Sequence, residues 1–375
     1  MMHFDCDYMN LCHPLILKRM AEISNETFPG YGFDSITKSA ASRIRTLVDC
    51  PEAAIYFLTG GTQTNMVVID ALLKPWDGVI CADCGHIAVH EAGAIEATGH
   101  KVLTLPAKDG KLVAQTLENY LNTFYSDPNW EHMVAPGLVY LTHPTECGTI
   151  YTLSELEDLH RVCQTYKIPL YIDGARLGYG LAANTDGLSE GESLPTLSDI
   201  ARLTTAFYIG GTKCGAMYGE ALVFPDPSVA PHFLTQIKRH GALLAKGFAA
   251  ALQFDVLFSD ANALKKIGNG DTEITETISP DAKCVEDTLY YQICRHGVEQ
   301  AARLRAVLKQ KGYRLMPDSP TNQLFVELTR EKADYLSRYL TYGQWEPPHG
   351  DFLTVRFATS WATRSRDIDL LIKLV

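Results

Sequence analysis

The sequence has no apolar run approaching the ~20 residues that a membrane-spanning helix needs. Its opening residues, Met1-Met2-His3-Phe4-Asp5-Cys6-Asp7, carry early acids and no apolar core of the signal-peptide kind, so export is not expected. An excess of basic charge is missing too. Lys and Arg number 33 against 44 Asp and Glu in 375 residues, a formal net charge of −11. That balance argues against a nucleic-acid or anionic-membrane surface, because both need a basic field. There is no G-x-x-x-x-G-K-[ST] phosphate loop and no G-x-G-x-x-G dinucleotide fingerprint. The one C-x-x-C, Cys81 to Cys84, has no second pair at zinc spacing. His90-Glu91 starts like a zinc-protease motif, but Ala94 stands where the second histidine belongs. No metal is therefore expected. The ten cysteines are scattered through a chain long enough to build a core without staples, which points to reduced thiols and a cytoplasmic location.

What is present is alternation. Short apolar, β-branched runs at 78–83, 100–105, 137–142, 168–173, 204–209 and 221–224 are separated by helical patterns at 61–73, 86–98, 112–124 and 153–166. This grammar predicts an α/β domain with a mostly parallel sheet between helices, its ligand site beyond the carboxyl ends of the strands. After Pro225-Asp226-Pro227 the alternation stops. A long helix is expected over 229–258 and another over 284–311, with two further strands at 323–328 and 352–358. The division expected is a large domain over 1–250, including the N-terminal segment, and a smaller α+β domain over 251–375. The polar stretch 259–283 reads as an insertion.

Three constellations could carry chemistry. Thr59-Gly60-Gly61-Thr62-Gln63-Thr64-Asn65 opens the helix at 61, and free N–H groups with the positive dipole end suit a phosphate. The plainer alternative is an ordinary glycine-rich turn. Tyr171-Ile172-Asp173-Gly174-Ala175-Arg176 delivers a carboxylate to a strand end, either for use or simply to start a turn. Ile209-Gly210-Gly211-Thr212-Lys213-Cys214-Gly215 sets a lysine among small residues. A confined lysine there can shed its proton and form a Schiff base, whereas an idle one would snorkel to solvent. In this order the three match what pyridoxal 5′-phosphate enzymes need: a phosphate cradle, an acid for the ring nitrogen and an amine for the aldehyde.

With these motifs the chain resembles the threonine aldolases and β-eliminating lyases. Matching stretches also include Pro29-Gly30-Tyr31-Gly32, His86-Ile87-Ala88-Val89-His90-Glu91-Ala92-Gly93-Ala94 and Val355-Arg356-Phe357-Ala358-Thr359. The resemblance implies fold type I, pyridoxal 5′-phosphate as cofactor, and retro-aldol cleavage of L-threonine, L-allo-threonine or a related β-hydroxy-α-amino acid. β-Elimination, transamination and cofactor binding without turnover are the alternatives. It further implies that Lys213, Asp173 and His86 are catalytic. Gly60, Gly61, Thr62, His86, Asp173, Arg176, Lys213 and Lys246 would hold the cofactor, while Cys6, Tyr31, Arg176 and Arg356 would hold the substrate. Lys246, with Arg239 as second choice, would reach the phosphate of a neighbouring subunit in a homodimer or homotetramer. The resemblance puts the family's second active-site histidine at Thr145, within Thr142-His143-Pro144-Thr145-Glu146, and leaves His143 as its possible stand-in.

Overall fold

The computed structural model describes residues 1–186, 188–262 and 281–375. The expected insertion at 259–283 therefore lies largely outside the described residues. Two sheets organise the rest. A four-stranded sheet contains the first strand, β1 (Met2–Phe4), and three late ones described below. The seven-stranded sheet is built from β2 (Ala54–Leu58), β3 (Asp77–Ala82), β4 (Val102–Leu105), β5 (Ala135–Thr142), β6 (Leu170–Asp173), β7 (Ala206–Gly210) and β8 (Glu220–Phe224). Their order is β2-β8-β7-β6-β5-β3-β4, and β8 alone runs against its neighbours. Parallel strands need both faces covered, and they read as continuous apolar runs for that reason.

The two faces of this sheet carry two separate apolar cores. Ile80, Leu141, Ile172, Ile209 and Val223 pack toward the helices Ser35–Leu47, Leu153–Tyr166 and Phe248–Leu257. Residues one step along, Cys81, Tyr140, Tyr171, Tyr208 and Leu222, pack toward the helices Gly61–Leu72 and Phe233–Arg239. That alternation is the period-2 pleat of a strand. The helices are delimited by local chemistry. Thr152 and Glu155 form a reciprocal capping box, Thr196 and Asp199 another, and Asp34 Oδ1 accepts from Thr37 N at 2.7 Å.

The smaller sheet has the order β1-β10-β11-β9, with β9 (Gln323–Thr329), β10 (Leu340–Gln344) and β11 (Phe352–Ala358). It packs on the helix Leu289–Gln310 and the closing helix Ser365–Leu374 through Leu304, Val326, Val355, Phe357 and Ile368. The N-terminal strand β1 is part of this sheet, paired in parallel with β10.

Two expected helices are broken. The stretch 86–98 is a single turn, His86–Val89, and a separate 3₁₀ turn, Glu96–Thr98. Ala92 and Gly93 both take left-handed φ, 53° and 75°, which no helix accommodates. The stretch 229–258 splits into Phe233–Arg239 and Phe248–Leu257, with Gly241 left-handed at φ 67° in the gap. Three strands, β1, β2 and β10, are additional to the sequence reading.

Candidate active site

Strand register places the chemistry along one edge of the large sheet. Thr142 at the end of β5 lies opposite Asp173 at the end of β6. Gly210 at the end of β7 and Leu58 at the end of β2 both lie opposite Glu220, the first residue of the reversed β8. Beyond this edge is a cavity of about 350 Å³. Its walls include Gly60, Gly61 and Thr62, together with His86, Asp173, Arg176 and Lys213. These are seven of the expected site residues, drawn from four separate stretches of chain.

The helix Gly61–Leu72 starts at Gly60 with no side-chain cap. Its first N–H groups are thus left for a ligand, in contrast to the boxed helices elsewhere. Thr59 turns its hydroxyl to Gln63 Oε1 at 2.6 Å instead of capping the helix.

Asp173 is held on all sides. Tyr208 donates to Oδ1, as does the Ala175 N–H at 3.0 Å. Tyr140 at 2.7 Å and Asn65 Nδ2 at 3.0 Å donate to Oδ2. Four donors fix the carboxylate in a set direction. Tyr140 and Tyr208 come from neighbouring strands, on the same sheet face as Tyr171 and Asp173. Tyr171 donates in turn to Asn65 Oδ1 at 2.8 Å.

Lys213 follows β7 on the tight Gly210-Gly211-Thr212 turn. Gly211 is confined there, since a Cβ would meet Gly219 O at 2.6 Å and Phe254 at 2.7 Å. Burial and the adjacent Arg176 guanidinium lower the lysine pKa, which makes its proton easier to lose. Glu220 underpins this turn by accepting from Gly211 N at 3.0 Å and Thr212 Oγ1 at 2.9 Å. Burial pushes its carboxyl up to about 8.

His86 opens the short turn after β3. Its Nδ1 lies 2.8 Å from Glu91 Oε1, which also accepts from Asn65 Nδ2 at 2.7 Å. Burial opposes the charged imidazole, but the hydrogen bond to Glu91 and the nearby Asp173 charge outweigh it, and the His86 pKa is raised. Asn65 thereby joins the partner of His86 to Asp173. The left-handed pair Ala92-Gly93 turns the chain just after Glu91, where an unbroken helix over 86–98 would have carried on.

Other expected residues lie elsewhere. Tyr31 is exposed and borders a separate apolar groove, with Lys238 Nζ 5.0 Å from its ring centre. Cys6 lines a third cavity, between the N-terminal segment and the start of the helix Ser365–Leu374. Lys246 is exposed and off the cavity wall. Arg239 is paired with Asp70 at 2.8 Å. Arg356 is also off the wall. Its Nη2 donates to Asp5 O at 2.8 Å and its buried Nε has no partner, while its charge is felt by Arg176, Asp7 and Tyr8. Arg176 does reach the cavity, but its fork is taken: Nε and Nη2 donate to Asp7 at 2.7 and 3.0 Å. Thr145 is buried against Thr149, and His143 is buried with its pKa pushed down to about 4. Neither lines the cavity, whereas Glu146 does.

The donor set fits a phosphorylated pyridine aldehyde: an uncapped helix start for the phosphate, a fixed carboxylate for a ring nitrogen and a deprotonating lysine for the aldehyde. The comparisons agree. The profile of the beta-eliminating lyases matches residues 12–330. A low-specificity L-threonine aldolase of Pseudomonas aeruginosa is 31% identical over 258 residues, 68% of this chain and 71% of the relative. A solved threonine aldolase of Leishmania major is 38% identical with TM-score 0.87, covering 100% of this chain and 98% of that one. An aspartate aminotransferase of Thermus thermophilus, 14% identical, shares the fold alone at TM-score 0.62, over 96% of this chain and 86% of its own. On fold, motif order and extent of match, the chain belongs to the beta-eliminating lyase family, on its threonine aldolase side.

Proposed function

We propose that this protein is a pyridoxal 5′-phosphate enzyme that cleaves β-hydroxy-α-amino acids, L-threonine or L-allo-threonine among them, to glycine and an aldehyde. The observation that carries the reading is the meeting of Lys213, Asp173 and the uncapped start at Gly60–Gly61 on one cavity. When bound, the cofactor ring supplies the electron sink for the Cα–Cβ bond pair.

The protein's own groups do the rest. The N–H groups at Gly61 and Thr62 would hold the phosphate. Asp173, held by its four donors, would serve the ring nitrogen without needing to reorganise. Lys213, its proton loosened by burial beside Arg176, is the amine for the aldehyde carbon. His86 is oriented through Nδ1 by Glu91. Arg176 gives its fork to Asp7, which leaves one terminal amino group for a substrate carboxylate. Arg356 adds charge from behind.

The protein works in the cytoplasm as a homodimer or homotetramer. Among the described residues that line the cavity, the only lysine and arginine are Lys213 and Arg176, and a second subunit's Lys246 completes the charge balance at the phosphate. The apolar groove beside Tyr31 and Leu234, next to the 240–247 segment, suits that contact.

The test combines labelling with a substrate panel. Borohydride should fix the cofactor on Lys213, and L-threonine or L-allo-threonine should yield acetaldehyde and glycine. Pyruvate with ammonia from L-cysteine or L-tyrosine would mark an eliminating lyase instead. Full turnover in Lys213→Ala would refute the assignment.

A further inference from the structure

Cleavage needs an acceptor for the β-hydroxyl proton, and the residue expected at that place is absent. Thr145 occupies the position of the family's second active-site histidine, yet it is buried and bonded to Thr149 Oγ1 at 2.7 Å. His143, the possible stand-in, is buried on the far side of its turn. Its Nδ1 accepts from Tyr151 N at 3.3 Å, and Nε2 lies 3.6 Å from where a Cβ on Gly180 would be. It stays neutral at its pKa of about 4, away from the cavity.

The neighbouring Glu146 is placed differently. Its carboxyl lines the cavity beside His86 and Asp173. Oε1 is anchored by the backbone N–H of His86 at 2.8 Å and by Thr142 Oγ1 at 2.7 Å. Oε2 takes no hydrogen bond from another residue among the described ones, although the residue's own backbone N–H also holds the carboxyl. A carboxylate with one oxygen pinned by other residues and the second left to the cavity wall is built to receive a proton. We propose that Glu146 is the base that takes the β-hydroxyl proton, with His86 aiming it; this rests on the aldolase reading above.

The step balances. The O–H bond breaks, its proton goes to Glu146 Oε2, and its electron pair becomes the new C=O bond of the aldehyde. The Cα–Cβ pair remains on the Cα side and takes a proton from solvent to give glycine, and Glu146 then returns the hydroxyl proton to solvent, so no net proton is lost.

The surroundings suit the task. Burial, with Asp173 adding to it, raises the Glu146 pKa, while the Thr142 hydrogen bond and the His86 charge oppose this. Arg176 also feels its charge, and the thiols of Cys84 and Cys147 lie close by. A base poised above the ordinary carboxylate range transfers protons more effectively near neutral pH.

Glu146→Gln keeps the side-chain shape and an oxygen for both donors. It should retain cofactor colour and exchange the α-proton of glycine with deuterated water at the parent rate, since that exchange needs no β-hydroxyl base. Its kcat for L-threonine should fall about 10²-fold or more. Should this variant fail to fold, Thr142→Val decides. Losing one hydrogen bond to the carboxylate should move the acid limb of kcat/KM upward by about half a pH unit. A kcat within threefold of the parent in Glu146→Gln, or an unmoved limb in Thr142→Val, overturns the assignment. Glycine exchange lost in step with cleavage would mark a structural role and also overturns it. A parent protein that neither exchanges glycine nor cleaves threonine overturns the aldolase reading itself.

Discussion

In the sequence, Glu91 is only the second residue of an incomplete metal motif. In the fold it is buried, with Oε1 shared between His86 and Asn65 and Oε2 unpartnered. Burial alone would lower the His86 pKa, and the bond to Glu91 raises it. Glu91→Gln should therefore let His86 titrate at lower pH, as followed by NMR of the ring protons. An unchanged titration would mean that Glu91 does not set the imidazole charge. Other contacts were open to a sequence reader. Tyr140-Leu141-Thr142, Tyr171-Ile172-Asp173 and Tyr208-Ile209-Gly210 repeat one pattern at three adjacent strand ends. A period of two puts each tyrosine under the residue that reaches the edge. Glu146 and Glu220 gave no such signal. Their roles depend on which strand lies opposite and which turn folds back, and neither is written locally.

At the scale of the element, the helix Gly61–Leu72 is informative for its bare start. Gly60 is extended at φ −173°, and nothing lies within 4 Å of a Cβ placed there. Any residue can adopt that backbone and a Cβ would meet no protein atom, so neither conformation nor packing calls for glycine, and the open space before the helix is left to a ligand. Gly60→Asp should fold and gain about 0.3 kcal/mol from capping. It should also weaken cofactor binding at least tenfold, because its carboxylate takes the N–H groups and repels the phosphate. Thermal melting and equilibrium dialysis read the two effects separately; cofactor affinity equal to the parent would remove this helix start from the site. The strands of the large sheet were legible because a parallel strand buried on both faces leaves a continuous apolar run. The helix at 86–98 was misread because its apolar spacing survives a break that only left-handed Ala92 and Gly93 reveal. Strand β2 escaped because five apolar residues suit a strand or a buried turn of helix equally well.

At the scale of the molecule, three parts of the chain meet at Asp7. It accepts from Arg176 beside the large sheet and from Asn322, just before β9, at 2.9 Å. Burial would raise its pKa, yet the Arg176 charge lowers it to about 2 from 3.8. A depressed carboxyl stabilises the fold above its unfolded pKa, and that contribution is lost as the pH falls from about 4 toward 2. The shift corresponds to about 2 kcal/mol. Asp7→Asn strands the Arg176 charge and should cost about 3–5 kcal/mol at pH 7. It should also flatten the stability curve between pH 4 and 2 in denaturant titrations. A slope as steep as the parent's would place the acid sensitivity elsewhere.

Strand β1 also gives the chain a calendar. It is synthesised before its partner β10, which lies 338 residues later, with His3 opposite Thr341. The large sheet can assemble on the ribosome while the opening residues wait, and during that interval Arg176 has neither Asp7 nor any link through it to Asn322. A nascent chain released before β10 would therefore hold Lys213, Asp173 and the Gly60–Gly61 cradle, yet leave the wall at Arg176 unfinished. A strand made early and a strand made late are locked in together.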